Sequence, residues 1–516
     1  MLLADPQIAR AVTNIRIRAD DQPDVARLSE TFVDTGVLNQ LHNDNDQIIF
    51  GRRGTGKTHV FTYLATRLAG DPACCPVFVD MRMLGSSSQF ADVTAPLPER
   101  CLSLFRDVMF AARNGIMRHL GEQGGSAEAL AELEVLERAF ADPATELIPK
   151  TLEELTDSKV SRSHKFGASA GAHPAVTAGV GGDESEEYQV KREFEVARQD
   201  KIFFPMLAQA LDNVLRAAGV RLYLLLDEWS SIPMDIQPYL AEFLRRSVMP
   251  LPVAVVKIAA LEHRSAFLTF VDGQHIGFEL GADIAAARHL DDYYTFEMNP
   301  SGLIATYSEI LYRHIAAELP ERYLETQLTI RLPTELVTRL FEGHEAFVEL
   351  VQASEGNLRD FIQIFADAFQ KSGPRAPRGI TGEQVRRAAV DYTYLHKFPN
   401  IPTDLRHVMQ DMARVLVDQA KRRDFYLPAE YQTQPVIQRL LDTRVLHIAR
   451  RVVVTPARPG ELFCKYVFDY GFMLPFFAYT TSFARGRPDW ASPDEHDEKI
   501  RTIVDLGAVG LSGRPS

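Results

Sequence analysis

The sequence predicts an α/β fold with a mainly parallel sheet, followed by a helical region and a smaller C-terminal module. Between residues 46 and 261, apolar runs without polar alternation recur, which is typical of strands covered on both faces. Segments with helical spacing separate these runs, and strands that alternate with helices favour a parallel sheet. Beyond Pro300 the spacing stays helical to about Tyr394, and helical segments then precede two β-rich runs. This last pattern indicates a winged-helix-like module.

The predicted elements follow one another in a simple order. Strand candidates lie at 46–50, 76–80, 222–226, 253–261 and, as a shorter run, 294–298. Helical spacing is found at 59–68, 100–150, 203–217, 404–421 and 431–441, and the β-rich runs of the last region lie at 445–455 and 462–470. We therefore expect an α/β nucleotide-binding domain at 1–300, a helical lid domain at 301–395 and a winged-helix-like domain at 396–516.

Two segments of the first domain depart from this pattern. Residues 1–45 are polar and mixed, and no strong periodicity is assigned to them. Residues 158–187 are rich in glycine and alanine and end in an acidic run. Small residues bury too little apolar surface to fold unaided, so we predict a mobile insertion or a loose hairpin at 158–187.

Composition excludes several classes of protein. A chain of 516 residues exceeds one compact domain, so two to four domains are expected. The net charge of −13 means that any nucleic-acid surface has to be a local patch. Four cysteines form neither a disulfide framework nor a zinc motif. No apolar stretch reaches the roughly 20 residues that span a bilayer, and the N-terminus does not resemble a secretory signal. We expect a soluble, cytoplasmic protein without membrane contact.

Residues Gly51–Thr58 match the pattern G-x-x-x-x-G-K-[ST] at every fixed position. The glycines let the backbone curl so that its N–H groups face phosphate oxygens, and the following helix directs its positive end at the same anion. Lys57 suits the β- and γ-phosphates, and the Thr58 hydroxyl suits Mg²⁺. A strand before the loop and a helix after it favour a phosphate-binding loop over an ordinary glycine-rich turn.

The second motif is the acid pair Asp227-Glu228, which ends the leucine-rich run 222–226. Ligands of open α/β sheets bind at the carboxyl ends of the strands. Asp227 is the candidate ligand of Mg²⁺, and Glu228 is the candidate general base that orients and polarises the attacking water. The alternative is a strand end with two solvated acids, and the phosphate loop upstream favours the catalytic interpretation.

With these motifs the chain resembles the AAA+ ATPases. The order is a Walker A loop at 51–58, a Walker B acid pair at 227–228 and a later strand that runs into Ala259–Arg264. Residues Ser354–Asp360 resemble the sensor-2 segment of the origin-recognition and replication-licensing branch and of the related STAND signalling ATPases. The resemblance covers roughly residues 30–395. Segments at 227–233 and 276–283 further resemble bacterial origin-recognition-like ATPases found beside defence or mobile-element genes.

The resemblance implies a P-loop AAA+ core with a parallel sheet, an all-α lid, and ATP with Mg²⁺ as cofactors. In these families a Gly-x-x-Arg at the start of a lid helix sends its arginine to the γ-phosphate, and Gly356 and Arg359 match those positions. The candidate nucleotide-binding residues are Gly51, Arg52, Arg53, Gly54, Thr55, Gly56, Lys57, Thr58, His59 and Arg359. The candidate catalytic residues are Lys57, Glu228 and Arg359, and the candidate metal ligands are Thr58 and Asp227.

Several roles stay open at this point. The sensor-1 residue is Glu262 or His263, and either one departs from the Asn, Thr or Asp usual in the family. An arginine finger would stabilise charge on the γ-phosphoryl group across a subunit boundary. The candidates are Arg264, the pair Arg245-Arg246 and Arg288. Arg52 and Arg53 either contact phosphate or point outward.

The C-terminal region carries two clusters with alternative interpretations. Lys421-Arg422-Arg423, together with Arg450-Arg451, suits backbone phosphates of nucleic acid, but cations at a helix end also suit the helix dipole. The aromatic residues are more typical of a module core than of a platform on which bases stack. They are Phe468, Tyr470, Phe472, Phe476, Phe477 and Tyr479.

The leading hypothesis is a Mg²⁺-ATP-dependent switch or motor in DNA-linked work. A homo-oligomer, duplex DNA bound by the C-terminal module and a protein effector such as a nuclease, acting in defence against foreign DNA, are the partners expected. The alternative is a STAND-like signalling scaffold whose C-terminal module binds protein. A third possibility, a structural subunit with vestigial activity, is disfavoured because Lys57, Thr58, Asp227 and Glu228 are all intact.

Overall fold

A computed structural model describes residues 2–16, 25–85, 96–141, 144–149, 196–294, 299–373, 379–417, 422–454 and 459–477. Within 144–149 and 196–201 only the backbone is described. The segment 158–187, predicted to be an insertion, lies outside these residues.

A five-stranded parallel sheet forms the centre of the first domain, which confirms the predicted α/β class. The strands are β1 Gln47–Phe50, β2 Cys74–Asp80, β3 Ala144–Pro149, β4 Val196–Lys201, β5 Arg221–Asp227, β6 Ala254–Ala260, β7 Leu268–Val271, β8 Gln274–Gly277, β9 Ala285–His289, β10 Asp424–Pro428, β11 Leu446–Val454 and β12 Leu462–Phe468. The central sheet has the order β2-β5-β6-β1-β9, and every neighbouring pair in it is parallel. Strands β3 and β4 form one antiparallel pair, and β7 and β8 form another.

The fifth strand of this sheet was not predicted from the sequence. Tyr294, the start of the predicted strand 294–298, closes the 3₁₀ turn Leu290–Tyr294, and residues 295–298 lie outside the described residues. The strand that pairs with β1 is Ala285–His289. Its alanines lack the large apolar side chains that mark the other strands, so the sequence pattern gave no signal for it.

Helices cover both faces of the sheet, and further helices lie in the region 301–395, which is predicted to be a lid and is called the lid below. The helices are α1 Pro6–Asn14, α2 Val25–Thr31, α3 Val37–Leu41, α4 Lys57–Ala69, α5 Leu97–Gln123, α6 Ala127–Ala141, α7 Phe204–Ala218, α8 Gln237–Ser247, α9 Pro300–Ala317, α10 Tyr323–Thr326, α11 Pro333–Leu340, α12 His344–Ala353, α13 Leu358–Ser372, α14 Gly382–Tyr392, α15 Thr403–Val415, α16 Pro435–Asp442 and α17 Tyr470–Phe477. None of these helices is long and apolar enough to cross a membrane.

Strand β5 shows how the sheet separates two hydrophobic cores. Its side chains alternate between the faces, as the period of two in a β-strand requires. Tyr223 and Leu225 lie in a core shared with α4 and the lid helices. Leu222, Leu224 and Leu226 lie in a second core with α5, α6, α7 and α8. Both faces of β5 are therefore covered, which explains its continuous apolar run.

Residues 2–14 of the N-terminal segment include helical structure that its polar composition does not predict. Asp5 caps α1 by accepting hydrogen bonds from the backbone N–H groups of Gln7 and Ile8 at 2.8 and 3.0 Å. Ile8, Ala11 and Val12 are buried in the core that continues into the lid. Their spacing is that of one face of a helix, a short periodic signal that the surrounding charges obscured.

The C-terminal module combines helices with an antiparallel sheet and has its own core. Strands β11 and β12 correspond to the two predicted β-rich runs, and β10 joins them in the order β10-β12-β11. The buried aromatic side chains of Phe468, Tyr470 and Phe472 are packed inside the protein. Tyr479 lies outside the described residues, and the side chain of Phe477 is not described.

A buried cation joins the lid to the C-terminal module. Lys397 forms ion pairs with Asp360 at 2.8 Å and with Asp469 at 2.7 Å, and all three side chains are at most 1% exposed. Asp360 belongs to α13 of the lid, and Asp469 follows β12 of the module. Each carboxylate requires a charged partner because an unpaired charge in the interior is costly. The lid and the module are therefore held in one arrangement at this point.

We expect Lys397→Met to lower the free energy of unfolding by about 3–5 kcal/mol, because it leaves two carboxylates buried without their shared cation. Urea unfolding followed by circular dichroism measures the difference. Lys371→Met is the matched control, since Lys371 pairs with Asp391 at the surface and its loss should cost at most about 0.5 kcal/mol. Equal losses in the two variants would contradict the role given to Lys397.

Lys257 on β6 gives a prediction about pH. Its ammonium donates to the side chains of Gln47 at 2.5 Å and Asn43 at 3.0 Å and to the Asn45 carbonyl at 2.7 Å. Burial lowers the pKa of Lys257 to about 7, and the nearby Asp46 and Asp44 only partly oppose this. Between pH 7 and its unfolded pKa near 10.5, the unfolded chain therefore holds a proton that the folded chain has released.

The free energy of unfolding should consequently rise with pH in this window, by about 2 kcal/mol between pH 7 and pH 9 from this group. Lys257→Met should lack this contribution. Urea unfolding of both proteins at the two pH values measures the difference in slope, and Lys371→Met should keep the parent slope. The same pH dependence in the parent and in Lys257→Met would refute the assignment.

Candidate functional site

The glycine-rich loop connects β1 directly to α4. β1 ends at Phe50, and α4 begins at Lys57. Gly54 and Gly56 adopt left-handed backbone conformations with φ of 92° and 93°, which side chains other than glycine rarely accept. The loop lies at the carboxyl edge of the sheet, where the backbone N–H of Gly51 donates to the carbonyl of Ala260 at 3.2 Å. The neighbouring strand β6 thus fixes the start of the loop.

The lid helix α13 packs directly on this loop. The amide of Asn357 donates to the Arg53 carbonyl at 2.6 Å, and the backbone N–H of Arg359 donates to the Gly54 carbonyl at 3.3 Å. A Cβ atom on Gly54 would lie 2.4 Å from the side-chain oxygen of Asn357. Glycine at position 54 therefore serves both the backbone turn and the close approach of the lid.

Lys57 is directed into the hollow of the loop. Its ammonium donates to the carbonyls of Gly51 at 2.7 Å and Arg52 at 3.1 Å. Burial lowers the pKa of Lys57, while the nearby carboxylates of Glu228 and Asp227 raise it. Lys57 and Glu228 also line the same cavity, so the loop and the acid pair of β5 lie at one site.

Asp227 ends β5 and is buried next to α4. Its Oδ1 accepts a hydrogen bond from the backbone N–H of Glu228 at 2.8 Å. Its Oδ2 is buried and has no hydrogen-bond partner of good geometry among the described residues. Burial raises the pKa of Asp227 to about 6, although the Thr58 hydroxyl lowers it by hydrogen bonding to the carboxyl group. The carboxylate is held beside Thr58 with one oxygen lacking a well-aligned donor.

This pair is suited to a hard divalent cation. Mg²⁺ prefers oxygen ligands, and protein sites usually provide only one or two of them together with phosphate and water oxygens. The Thr58 hydroxyl and the orphaned Oδ2 of Asp227 fit that requirement. No group of three His, Cys, Asp or Glu side chains suited to enclose a metal occurs in the part of the chain that the structure describes.

Glu228 has an unusual backbone conformation. Its φ of 56° lies in the left-handed region, which is uncommon for residues other than glycine and asparagine. The residue leaves the strand at this point, and its side chain lines the same cavity as Lys57 and Thr58. Strain of this kind is retained where the surrounding structure fixes the residue, and it is frequent at functional sites.

The cavity above the loop has a volume of about 470 Å³ and is lined by both polar and apolar residues. The loop, Glu228 and Arg359 contribute polar groups. The N-terminal segment and the lid contribute the apolar side chains of Leu28, Phe32, Val33, Ile310, Leu358 and Ile362. Polar groups for an anion together with apolar groups for a planar ring are the requirements of a nucleotide site.

His59 lies on the wall of this cavity rather than in the loop. Its Nε2 contacts the Leu28 carbonyl at 2.5 Å, and its ring meets the edge of Phe32 at 5.4 Å between centroids. Burial lowers the pKa of His59. Because a carbonyl oxygen only accepts, Nε2 donates to the Leu28 carbonyl. His59 thereby connects α4 to the N-terminal segment, whose Leu28 and Phe32 also line the cavity.

The two arginines inside the loop face different directions. Arg53 is exposed and lines the nucleotide-sized cavity. Arg52 is directed away from it, with its Nε donating to Asp291 at 2.7 Å and its terminal nitrogen donating to the Glu355 carbonyl at 3.0 Å. The structure therefore brings Arg53 to the cavity and commits the guanidinium of Arg52 to other protein groups.

Neither sensor-1 candidate lines the cavity above the loop. Glu262 forms an ion pair with Arg451 of the C-terminal module at 2.7 Å, and both Glu262 and His263 line a second, smaller cavity between the core and that module. Among the arginine-finger candidates, Arg264 pairs with Asp442 at 2.7 Å.

The other arginine-finger candidates lie on the surface of the core. Arg245 and Arg246 both bind Glu242 on their own helix. Arg288 is exposed on β9. These placements assign no arginine to a neighbouring subunit.

Several residues that line the site were not predicted from the sequence. Leu28, Phe32 and Val33 belong to residues 1–45, whose polar and mixed composition predicts no element. Asp291 has no motif around it, whereas Asn357 stands at the position before a helix, which is a recognisable cap signal. Gly356 is required for another reason: its φ is 73°, and a Cβ atom there would lie 2.5 Å from the Tyr294 carbonyl.

No protein-family model and no curated protein matches this chain. Solved structures with a similar fold include the Cdc6p protein of Pyrobaculum aerophilum, with 12% identity over 94% of this chain and 98% of that chain and a TM-score of 0.31. The ORC1 protein of Aeropyrum pernix, solved in complex with DNA, is 11% identical over 93% of this chain and 98% of that chain, with a TM-score of 0.31.

The ORC2 protein of Aeropyrum pernix, solved as ADPNP–ADP complexes, is 12% identical over 92% of this chain and 99% of that chain, with a TM-score of 0.27. Similarity at this level concerns the fold alone. The ligands of those proteins are therefore not assigned to this chain by the comparison.

Proposed function

We propose that this protein is a Mg²⁺-dependent ATPase that works as a conformational switch. One observation carries the proposal: Lys57, Thr58 and Glu228 line one nucleotide-sized cavity that the lid also lines, and Asp227 lies buried beside Thr58. Each side chain is of the type that nucleotide hydrolysis requires, and the loop backbone has the curled form that holds phosphates.

The residues divide the chemistry among them. Loop N–H groups and the Lys57 ammonium bind phosphate oxygens, for which Lys57 exchanges its present contacts to the loop carbonyls. Thr58 and Asp227 would hold Mg²⁺, which neutralises phosphate charge when bound. Glu228 orients a water molecule and accepts its proton, and Arg359 provides positive charge at the γ-phosphate end of the cavity.

The apolar residues that line the cavity suit the base. One of them, Phe32, is stacked on Tyr63 with a centroid distance of 4.2 Å, which supports its ring from behind. The preference for adenine over guanine rests on the resemblance to AAA+ ATPases. A homo-oligomer in which a neighbouring subunit provides an arginine finger belongs to the same proposal.

DNA-linked work is the output that we propose, with a partner effector such as a nuclease and a role in defence or in the control of mobile elements. The element order of the C-terminal module supports this output: β10 lies between the helices α15 and α16, and the antiparallel strands β11 and β12 follow, as in a winged helix. The side chains of Arg450, Val452 and Val454 on strand β11 are also exposed.

A specific observation favours the second candidate, a signalling scaffold whose module binds protein. Most of the described basic residues that were predicted to bind DNA form ion pairs with acidic side chains of the protein itself. Arg422 pairs with Asp424 at 2.8 Å, Arg423 pairs with Glu355 of the lid, and Arg451 pairs with Glu262 of the core. Lys421 lies outside the described residues. Arg450 is the exposed member of the described part of these clusters.

The ATPase proposal predicts different effects for two variants. Lys57→Ala should abolish nucleotide binding because the loop loses its phosphate-binding cation. Glu228→Gln should still bind nucleotide, but its rate of ATP hydrolysis should fall by about 10²-fold or more, because a general base contributes that much to the rate. Calorimetric titration with Mg²⁺-ATP and a phosphate-release assay measure the two effects.

Glu279→Gln is the control, since Glu279 is an exposed acid outside the cavity and its change should leave both properties at the parent level. If Glu228→Gln turned ATP over at the parent rate, Glu228 would not be the base. If the parent bound no nucleotide, the proposed function itself would fail.

Binding to duplex DNA at graded salt concentrations separates the two outputs. A DNA-binding module should lose affinity steeply as salt rises, because bound phosphates release counterions. Replacing Arg450 by serine should reduce the slope of log affinity against log salt by about 0.9, the share of one phosphate contact. Arg387→Ser, an exposed arginine on α14, should leave the slope unchanged. A parent protein that binds no DNA at low salt would favour the scaffold.

A further inference from the structure

The guanidinium of Arg52 is a meeting point for the three parts of the chain. It donates to Asp291 of the core at 2.7 Å and to the backbone carbonyl of Glu355 in the lid at 3.0 Å, and it contacts Nδ1 of His447 in the C-terminal module. The backbone N–H of Arg52 also donates to Asp291 at 3.1 Å. Both the main chain and the side chain of this phosphate-loop residue are therefore fixed from outside the loop.

The chemistry of the contact defines the state of His447. A guanidinium has donors only, so Nδ1 of His447 accepts a hydrogen bond from Arg52. The proton of the neutral ring then sits on Nε2, which donates to Asp469 at 3.0 Å. Burial and the adjacent guanidinium lower the pKa of His447 to about 4, which agrees with a neutral ring. His447 is thus a bridge with one accepting and one donating nitrogen.

The bridge continues into the lid through buried charges. Asp469 pairs with Lys397 at 2.7 Å, and Lys397 pairs with Asp360 at 2.8 Å. Asp360 also pairs with Arg444 at 2.5 Å and accepts a hydrogen bond from the Tyr392 hydroxyl at 2.9 Å. Each of these three partners of Asp360 lies outside α13, the helix to which Asp360 belongs.

These contacts form a closed ring that begins and ends at the phosphate loop. Asp360 lies in the first turn of α13, next to Arg359, and the cap of that helix is Asn357. Asn357 donates to the Arg53 carbonyl, one residue from Arg52. The ring therefore passes from Arg52 through the module and the lid and returns to Arg53. Displacing the module would break the ring at the contact of His447 with Arg52, a residue of the phosphate loop.

From this ring we infer that the C-terminal module positions the phosphate loop through the contact of His447 with Arg52, so that nucleotide affinity depends on module docking. By linkage, nucleotide binding changes the docking equilibrium by the same factor. A DNA or protein partner that pulls on the module would thereby loosen bound nucleotide. The inference rests on the proposed nucleotide site and adds its regulation. His447 and Arg52 are positioning residues in this scheme.

A simpler role for the contact is to attach the module to the core without any effect on the loop. The chain offers a matched contact of that kind. Asp442 of α16 pairs with Arg264 of the core at 2.7 Å, across the same boundary. This pair crosses between the same two parts of the chain but contains no residue of the phosphate loop. Its removal therefore measures what attachment alone contributes.

Two substitutions of His447 separate its two nitrogens. In His447→Asn the amide oxygen lies near the position of Nδ1 and continues to accept from Arg52, but the side chain is too short for Asp469. In His447→Gln the amide nitrogen reaches the position of Nε2 and donates to Asp469, whereas the acceptor for Arg52 is lost. Both variants lose one buried hydrogen bond, so their stabilities should fall by similar amounts.

The experiment is calorimetric titration of the full chain with Mg²⁺-ATP, together with hydrogen exchange of the peptide that covers residues 51–58. His447→Gln should bind ATP about tenfold more weakly than the parent and exchange faster in the loop. His447→Asn and Asp442→Asn should stay within about twofold of the parent in affinity. Thermal unfolding of all variants reports whether they are folded to the same extent.

Each outcome decides between the alternatives. Equal affinity of the parent and the His447→Gln protein would overturn the inference, as would equal weakening in His447→Gln and Asp442→Asn. A parent that binds no nucleotide would instead overturn the proposed function. If His447→Gln does not fold, Arg52→Lys breaks the same contact from the loop side, because an ammonium cannot reproduce the fork of donors of a guanidinium. Parent-level affinity in that variant would equally overturn the inference.

Discussion

The first turn of the lid helix α13 is the point on which the arrangement of the molecule depends. Asn357 caps the helix and at the same time binds the phosphate loop, while Arg359 lines the nucleotide-sized cavity. Asp360 is fully buried and pairs with Lys397 and Arg444. A carboxylate without its cations inside a protein costs several kcal/mol, so the helix keeps its position relative to both neighbouring parts. One turn of helix thereby connects the loop, the cavity and the C-terminal module.

The parallel sheet explains why the two nucleotide motifs meet. All five central strands run in the same direction, so their carboxyl ends lie at one edge. The loop that follows β1 and the acid pair at the end of β5 lie at this edge, although β6 separates their strands. The residues that bridge that separation are on α4, whose first turn brings Lys57 and Thr58 towards Asp227. The chemistry of the site is therefore a consequence of strand order as much as of the motifs.

For the charges of the C-terminal region, in contrast, spacing along the chain does not predict which groups they contact. Consecutive arginines at 422–423 and 450–451 look like an exposed basic surface when the sequence is considered alone. In the folded protein Arg423 and Arg451 bind acids of the lid and the core, over separations of 68 and 189 residues. These pairs contribute to the attachment of the module, and they leave Arg450 as the member of the described part of the cluster that faces solvent.

The sequence by itself determined the covered strands, the phosphate loop, the acid pair and the helical character of residues 300–394, because each is encoded by neighbouring residues with a fixed spacing. Periodicity and motifs are local properties. The tertiary structure decided the fifth strand Ala285–His289, the wall built by the N-terminal segment, and the partners of Arg52. These features depend on which distant groups become neighbours after folding, and a charged side chain carries no local mark of its partner. The pairing of Arg52 with His447, 395 residues away, is for that reason a property of the fold alone.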